Sequence, residues 1–172
     1  MRTVIPGSTR TRRLILATGL GVAGALALSG SAGAGTRCVA VSGYYVEQDA
    51  SGPDCTSPVG LCITGQYYGD IKGTFAGQAT SIVPTADSPT TAVLLFTSNS
   101  VITGRIGGRT GSLDIRNAGA FRTAGEGSIV DLQTIIGGTG GLAGAGGDVR
   151  ASGTFSTASG GRSDYSGTVC LP

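Results

Sequence analysis

Few side chains in this chain could do chemistry, and the absences narrow the field first. The 172 residues include no histidine. That excludes Ser-His-Asp and Cys-His nucleophilic systems and histidine-based metal sites. The one lysine, Lys72, sits within a β-prone run and reads as part of a solvated face, so Schiff-base chemistry has no support, and no phosphate-cradling loop is present. Carboxylates remain: Glu47, Asp49, Asp54, Asp70, Glu126 and Asp131. A charge in a half-buried strand ordinarily lies on the wet face. Asp131 stands apart because it lies among Ile129, Val130 and Leu132. Strand alternation puts it on the face of Ile129, Gln133 and Ile135, opposite Val130 and Leu132. Turned inward, it needs a hydrogen-bonding partner or a raised pKa. No cofactor and no metal is implied.

The elements that must position these groups read almost wholly as strands. The first run is Arg37–Gln48, followed by a Ser-, Gly-, Pro- and Asp-rich loop over Asp49–Pro58. Leu61–Val83 reads as one long strand, with Gly65, Gly69, Gly73 and Gly77 spaced every four residues. So much glycine is tolerated where a strand bends or where large residues pack over the gaps. Pro84–Pro89 is a turn. Thr91–Ile102, Arg109–Arg116, Ala118–Thr123, Gly127–Ile136, Asp148–Thr157 and Ser163–Leu171 complete the set, the last two joined by a Gly160-Gly161 hairpin. This makes about eight strands, with no twelve-residue stretch of helical period. An all-β sandwich or barrel is expected, and closure into a barrel avoids long flat edges that would pair with other chains.

The stretch from Ser128 to Phe155 organises the rest. An apolar β-branched run meets Gly137, Gly138, Gly140 and Gly141, then Leu142 and Ala143, then Gly144 and Gly146, before a second alternating run. Strand, short helical turn, strand is the expected course. A dinucleotide fingerprint would need a long helix in a βαβ unit and an acidic residue further on. Calcium-binding nonapeptides would come in tandem, and the 32 glycines lack the period of collagen. Gly137–Gly146 resembles instead the glycine corner of the allene oxide cyclase and dirigent protein families, which are closed eight-stranded antiparallel β-barrels of calycin type. Tyr45-Val46-Glu47-Gln48-Asp49 followed by Ser57-Pro58 resembles the carboxylate-bearing strand end and Ser-Pro pair of allene oxide cyclases. The resemblance implies that Glu47, Ser57 and Pro58 assist catalysis. It also implies that Tyr44, Tyr45, Tyr67, Tyr68 and Phe75 line a ligand pocket, which Asp131 would join if its strand face points inward. Cyclases of this kind hold a reactive molecule in a folded pose, which is catalysis by proximity and orientation. The implied function is an isomerase or cyclase acting on a small apolar molecule. The alternatives are a non-catalytic carrier and a filled structural or surface-interaction barrel. A cavity on the order of a few hundred Å³ with convergent polar groups separates the pocket readings from the last.

Residues 1–34 have the layout of a cleavable secretory signal: Arg2, Arg10, Arg12 and Arg13, an apolar span from Leu14 to Leu28, and Ala32-x-Ala34. Thr11-Arg12-Arg13 loosely matches a twin-arginine signal, so the export route stays open. One domain over residues 35–172 is expected. Without the four leader arginines it carries eight basic and ten acidic residues, a net charge of −2. The basic residues are scattered without interleaved aromatics, which gives nucleic-acid binding no support. No second apolar span suggests a membrane anchor in the mature protein, and a homo-oligomer is compatible with the sequence. All four cysteines follow the leader, an even count that in an exported chain implies disulfides. Of three connectivities, Cys55–Cys62 across a turn-rich loop and Cys38–Cys170 across the first and last strands are favoured. Zinc is the weaker alternative, because no CxxC pair is present.

Overall fold

Strands form here because apolar and polar residues alternate with a period of two, and the apolar set needs one covered face. A computed structural model describes residues 35–172; the signal segment expected over residues 1–34 lies outside the described residues. Eight strands follow in order: β1 (Arg37–Asp49), β2 (Cys62–Gly69), β3 (Ile71–Pro84), β4 (Val93–Ile106), β5 (Arg109–Arg122), β6 (Ser128–Gly138), β7 (Gly146–Ser156) and β8 (Gly160–Leu171). One helical turn, α1 (Ser88–Thr91), links β3 to β4, and a 3₁₀ turn at Gly140–Leu142 links β6 to β7. Each strand pairs antiparallel with its neighbours in sequence, and β1 pairs with β8, so the sheet is a closed barrel. The expected all-β barrel and the strand–turn–strand course of the glycine corner are both present.

Closure shows in how β1 divides its partners. Arg37–Glu47 pairs with β8, whereas Gly43–Asp49 pairs with β2. This offset along a single strand is the stagger that tilts the strands and lets a sheet meet itself. Cys38 and Cys170 are directly opposite in that ladder, with Cα atoms 3.9 Å apart, and form a disulfide. Cys55–Cys62 is the second disulfide and ties the β1–β2 loop to the start of β2. Two disulfides fit an oxidising, extracellular compartment, and no helix among the described residues is long and apolar enough to cross a membrane.

Two expected strand boundaries shift while the count of eight stands. The run read as one strand over Leu61–Val83 turns back at Gly69–Asp70, where Gly69 takes φ +112°. A Cβ there would lie 2.5 Å from the Ser42 carbonyl oxygen. The turn is held from a distance. The Tyr165 hydroxyl accepts the Ile71 N–H at 2.9 Å, and the Asp70 carboxylate accepts the Ser42 N–H at 2.8 Å. Neither tie is local, so periodicity alone does not find the turn. Conversely, Arg109–Arg116 and Ala118–Thr123 join into the single strand β5 through Asn117, whose buried amide donates to the Ser98 hydroxyl of β4 at 2.9 Å.

Inside, the barrel is layered. The end that carries the glycine corner is apolar: Leu142, Leu113, Val169, Val149, Ile71 and Ile106 are almost fully buried. The corner folds Leu142 into this layer. The glycine at 138 is required there because a Cβ would lie 2.4 Å from the Ser112 carbonyl oxygen and 2.5 Å from that of Leu142. Gly137, Gly140, Gly144 and Gly146 lie in the same corner, where Gly140 and Gly144 take φ of +59° and +73°. Next comes an aromatic layer in which Tyr45 and Tyr67 lie 4.9 Å apart and Phe75 packs edge-on to both. Beyond it, toward the end of β1 and the start of β6, lies a polar layer, and past that layer the interior ends in an apolar mouth.

The two disulfides differ in the length of chain they close, 132 residues against 7. In the chain-entropy model removing the Cys38–Cys170 link costs about 5 kcal/mol and removing Cys55–Cys62 about half of that. Urea unfolding of the Cys38→Ser/Cys170→Ser and Cys55→Ser/Cys62→Ser variants should therefore show the larger midpoint loss for the first. Equal losses would show that barrel closure does not rest on the β1–β8 latch.

Candidate functional site

The buried polar residues come from β1 (Glu47), β4 (Ser98), β5 (Asn117), β6 (Gln133) and β8 (Ser163). Glu47 is the last inward residue of β1, and only 7% of its surface is exposed. Its neighbours in register are Gly65 on β2 and Gly161 on β8. Asp131 on β6 likewise faces Gly119 on β5. Each acid thus sits beside a residue without a side chain, and a ring from another strand fills the gap. A Cβ on Gly65 would lie 2.5 Å from the Phe75 ring, and one on Gly119 would lie 2.7 Å from Phe96. The interior glycines are the spaces into which the phenylalanines pack.

One continuous set of bonds reaches Asp131. The Tyr67 hydroxyl donates to Gln133 Oε1 at 2.9 Å, and Gln133 Nε2 donates to Asp131 Oδ2 at 3.0 Å. The other oxygen, Asp131 Oδ1, is buried without a partner, as are Glu47 Oε1 and the hydroxyl of Ser163. Buried polar atoms in native proteins are nearly always paired, so three orphans in one barrel mark this layer out. Burial pushes the Glu47 carboxyl up to about 7, with the charge of Asp131 adding to the rise. Burial also lifts Asp131 to about 6, while the Gln133 bond holds it back. Tyr45 and Tyr67 are raised too, first by burial; for Tyr45 the nearby acids add, and for Tyr67 the Tyr45 hydroxyl and then the acids do. All eight arginine and lysine side chains among the described residues are exposed, so no cation offsets the two acids.

Glu47 borders a cavity of about 40 Å³ at the barrel end opposite the glycine corner. Its other walls are Leu61, Ile63, Ala79, Phe96, Ser98, Phe121, Ile129 and Phe155. It is an apolar mouth with an acid in its wall. At roughly 10–15 Å³ of such space per water, it holds a few waters or the end group of a ligand. Larger hollows of 590 and 670 Å³ lie on the outer face of the sheet, lined by outward residues such as Val101, Arg116 and Ile136 or Val130, Leu132 and Arg150. They are open surface; Glu47 borders neither, whereas the half-buried Asp131 lies at the edge of the second.

The structure brings together Glu47, Asp131, Tyr45, Tyr67 and Phe75. Other expected site residues lie elsewhere. Tyr44 and Tyr68 point outward, where their rings stack at 4.9 Å and the Arg162 guanidinium lies 3.7 Å over Tyr44. Adjacent residues on a strand face opposite ways, so Tyr44 cannot join Tyr45 inside, nor Tyr68 join Tyr67. The Ser57 hydroxyl is fully engaged in shaping its loop. It donates to the Ala79 carbonyl at 2.6 Å and accepts the Val59 and Leu61 N–H groups at 3.2 Å. Ser57 thus fixes Leu61 and Ala79 at the mouth and is a positioning residue. Pro58 is exposed beside it. Gln133, Ser163 and Tyr165 belong to the interior but were not among the expected site residues. Alternation from Asp131 reaches Gln133; nothing local in Ser163–Leu171 distinguishes Ser163 and Tyr165.

The chain belongs to the DUF3224 family, described as a protein of unknown function, whose family model matches residues 45–167. That span includes every member of the interior cluster from Tyr45 to Tyr165. No curated protein matches the chain.

The raised acids make stability depend on pH with one sign. Unfolded, Glu47 releases its proton near its ordinary 4.5 and Asp131 near 3.8; folded, they keep them to about 7 and about 6. Their contribution is complete below the lower values and is lost as the pH climbs to the upper ones. For Glu47 that loss is on the order of 3 kcal/mol. Urea unfolding between pH 4 and 8 should show wild-type stability falling across this window. Glu47→Gln should flatten the fall between pH 4.5 and 7 and exceed wild type at pH 8. An unchanged slope in Glu47→Gln would remove Glu47 as the titrating group.

Proposed function

We propose that this protein is an exported barrel that binds a small, largely apolar molecule by its polar end, with Glu47 as the anchor. One observation carries the reading: Glu47, which has a buried carboxyl oxygen with no partner from the protein, borders a mouth whose other walls are apolar but for Ser98. Leaving such an atom unpaired costs on the order of 1–3 kcal/mol, which an incoming hydrogen-bond donor recovers. The flanking phenylalanines, Phe96, Phe121 and Phe155, supply the apolar surface for the rest of the ligand. The likeness of the glycine corner and the Glu47 strand end to allene oxide cyclases supports an interior ligand. A folded whole substrate, however, would fill on the order of several hundred Å³, against about 40 Å³ here. Binding by an end group therefore ranks ahead of cyclisation of an enclosed substrate. Export is supported by the arginine-led apolar segment over residues 1–34 and by the two disulfides.

N-phenyl-1-naphthylamine, uncharged at pH 7 and fluorescent in apolar surroundings, tests the mouth directly because the protein has no tryptophan background. The expected result is saturable binding at one site, lost in Ala79→Leu, whose larger side chain fills the cavity. Circular dichroism of that variant checks that the barrel persists. Undiminished binding to a folded Ala79→Leu barrel would place the site elsewhere, and no saturable binding to wild type would leave the filled, non-binding barrel.

A further inference from the structure

The interior has an excess of acceptors and no positive charge. Glu47 Oε1, Asp131 Oδ1 and the Ser163 hydroxyl oxygen are all buried and unpartnered, and Glu47 and Ser163 are themselves 7% and 1% exposed. The Gln133 amide is already committed to Asp131 and the Tyr67 hydroxyl to Gln133, and neither of the remaining hydroxyls of the layer, Tyr45 and Ser163, reaches Glu47 Oε1. Every guanidinium and ammonium group among the described residues is on the outside. The cavity that Glu47 borders is lined by Ser98 as its one other polar residue, and the Ser98 hydroxyl already accepts from Asn117.

We infer that the ligand of this mouth is an amine: a compound whose ammonium end enters beside Glu47 while an alkyl or aryl tail lies against the phenylalanines. The inference rests on the end-group reading above and names its chemical class. An ammonium carries three donors and no acceptor, the complement of a layer that has acceptors to spare. It also supplies the counter-charge that the two acids lack once ionised, and a charge-assisted hydrogen bond is roughly twice as strong as a neutral one. An alcohol could donate one bond without neutralising either acid. A carboxylate end would add a third acid to a site with no cation, which the Coulomb term opposes strongly at low dielectric. The volume agrees: about 40 Å³ admits an ammonium and its first methylene, with the tail held at the mouth.

Calorimetric titration at pH 7 with hexylamine, hexanol and hexanoate separates the cases, since the three share a tail and differ at the head. Hexylamine should bind at least tenfold more tightly than hexanol, with hexanoate weakest. Glu47→Gln should weaken hexylamine at least tenfold and leave hexanol nearly unchanged, bringing the two together. Hexanol or hexanoate binding as well as hexylamine would overturn the amine assignment while keeping an end-group site. Failure of all three to bind would overturn the site itself and the assignment with it. Circular dichroism confirms that Glu47→Gln is folded, so a weakened affinity reports the lost charge rather than a lost barrel.

Discussion

The pairing of β1 with β8 is the constraint on which everything else depends. Without it the sheet has two open edges and no inside. With it, one face of every strand is enclosed, and each inward position acquires an environment that its own strand does not determine. Glu47 illustrates this. On an open sheet its carboxyl would lie near water beside two glycines. In the closed barrel it is buried, and burial first and the charge of Asp131 on β6 second raise its pKa. The long disulfide crosses the same seam at its outer end, so the covalent and hydrogen-bonded closures coincide.

Within this enclosure the residues sort into layers by what each end of the barrel must do. The end with the glycine corner is closed by folding Leu142 inward, and it is wholly apolar because backbone and side chains can pack there without voids. The middle is aromatic, and its rings occupy spaces that interior glycines leave open. The polar layer above holds two carboxyls, an amide and hydroxyls, and its bonds are incomplete. Packing alone does not call for such a layer: replacing buried acids by apolar side chains of similar size is often neutral or favourable for stability. Acids that oppose folding above their unfolded pKa values are easier to understand where the protein acts on something else. The contrast with Ser57 is instructive. It looks like a reactive group in the sequence, yet its hydroxyl makes three bonds to its own loop and a neighbouring strand and has none to offer a ligand.

Much of this was legible in the residues alone, for a definite reason. Period-two alternation, turn glycines and the lack of helical period are local signals, so an all-β chain of about eight strands followed from them, and the closed barrel from the cost of open edges and the resemblance of the glycine corner. The cysteine pairs followed from the same pattern, because the first and last strands of a closed barrel must meet. That Asp131 shares a face with Ile129, Gln133 and Ile135 could be read from one strand, but not which way that face points. Where the reading failed, the deciding contact was distant in sequence. The turn at Gly69–Asp70 is held by Tyr165 and Ser42, and β5 runs unbroken through Asn117 because Ser98 receives its amide.

The sequence by itself thus determined the architecture and which chemistries are absent, since both follow from composition and short-range pattern. Tertiary structure alone decided which carboxylates meet, which tyrosines face inward and how little space remains beside them. Those outcomes depend on register and stagger around the whole closed sheet, and a shift of one residue in any ladder would have sent Glu47 or Asp131 to the outside.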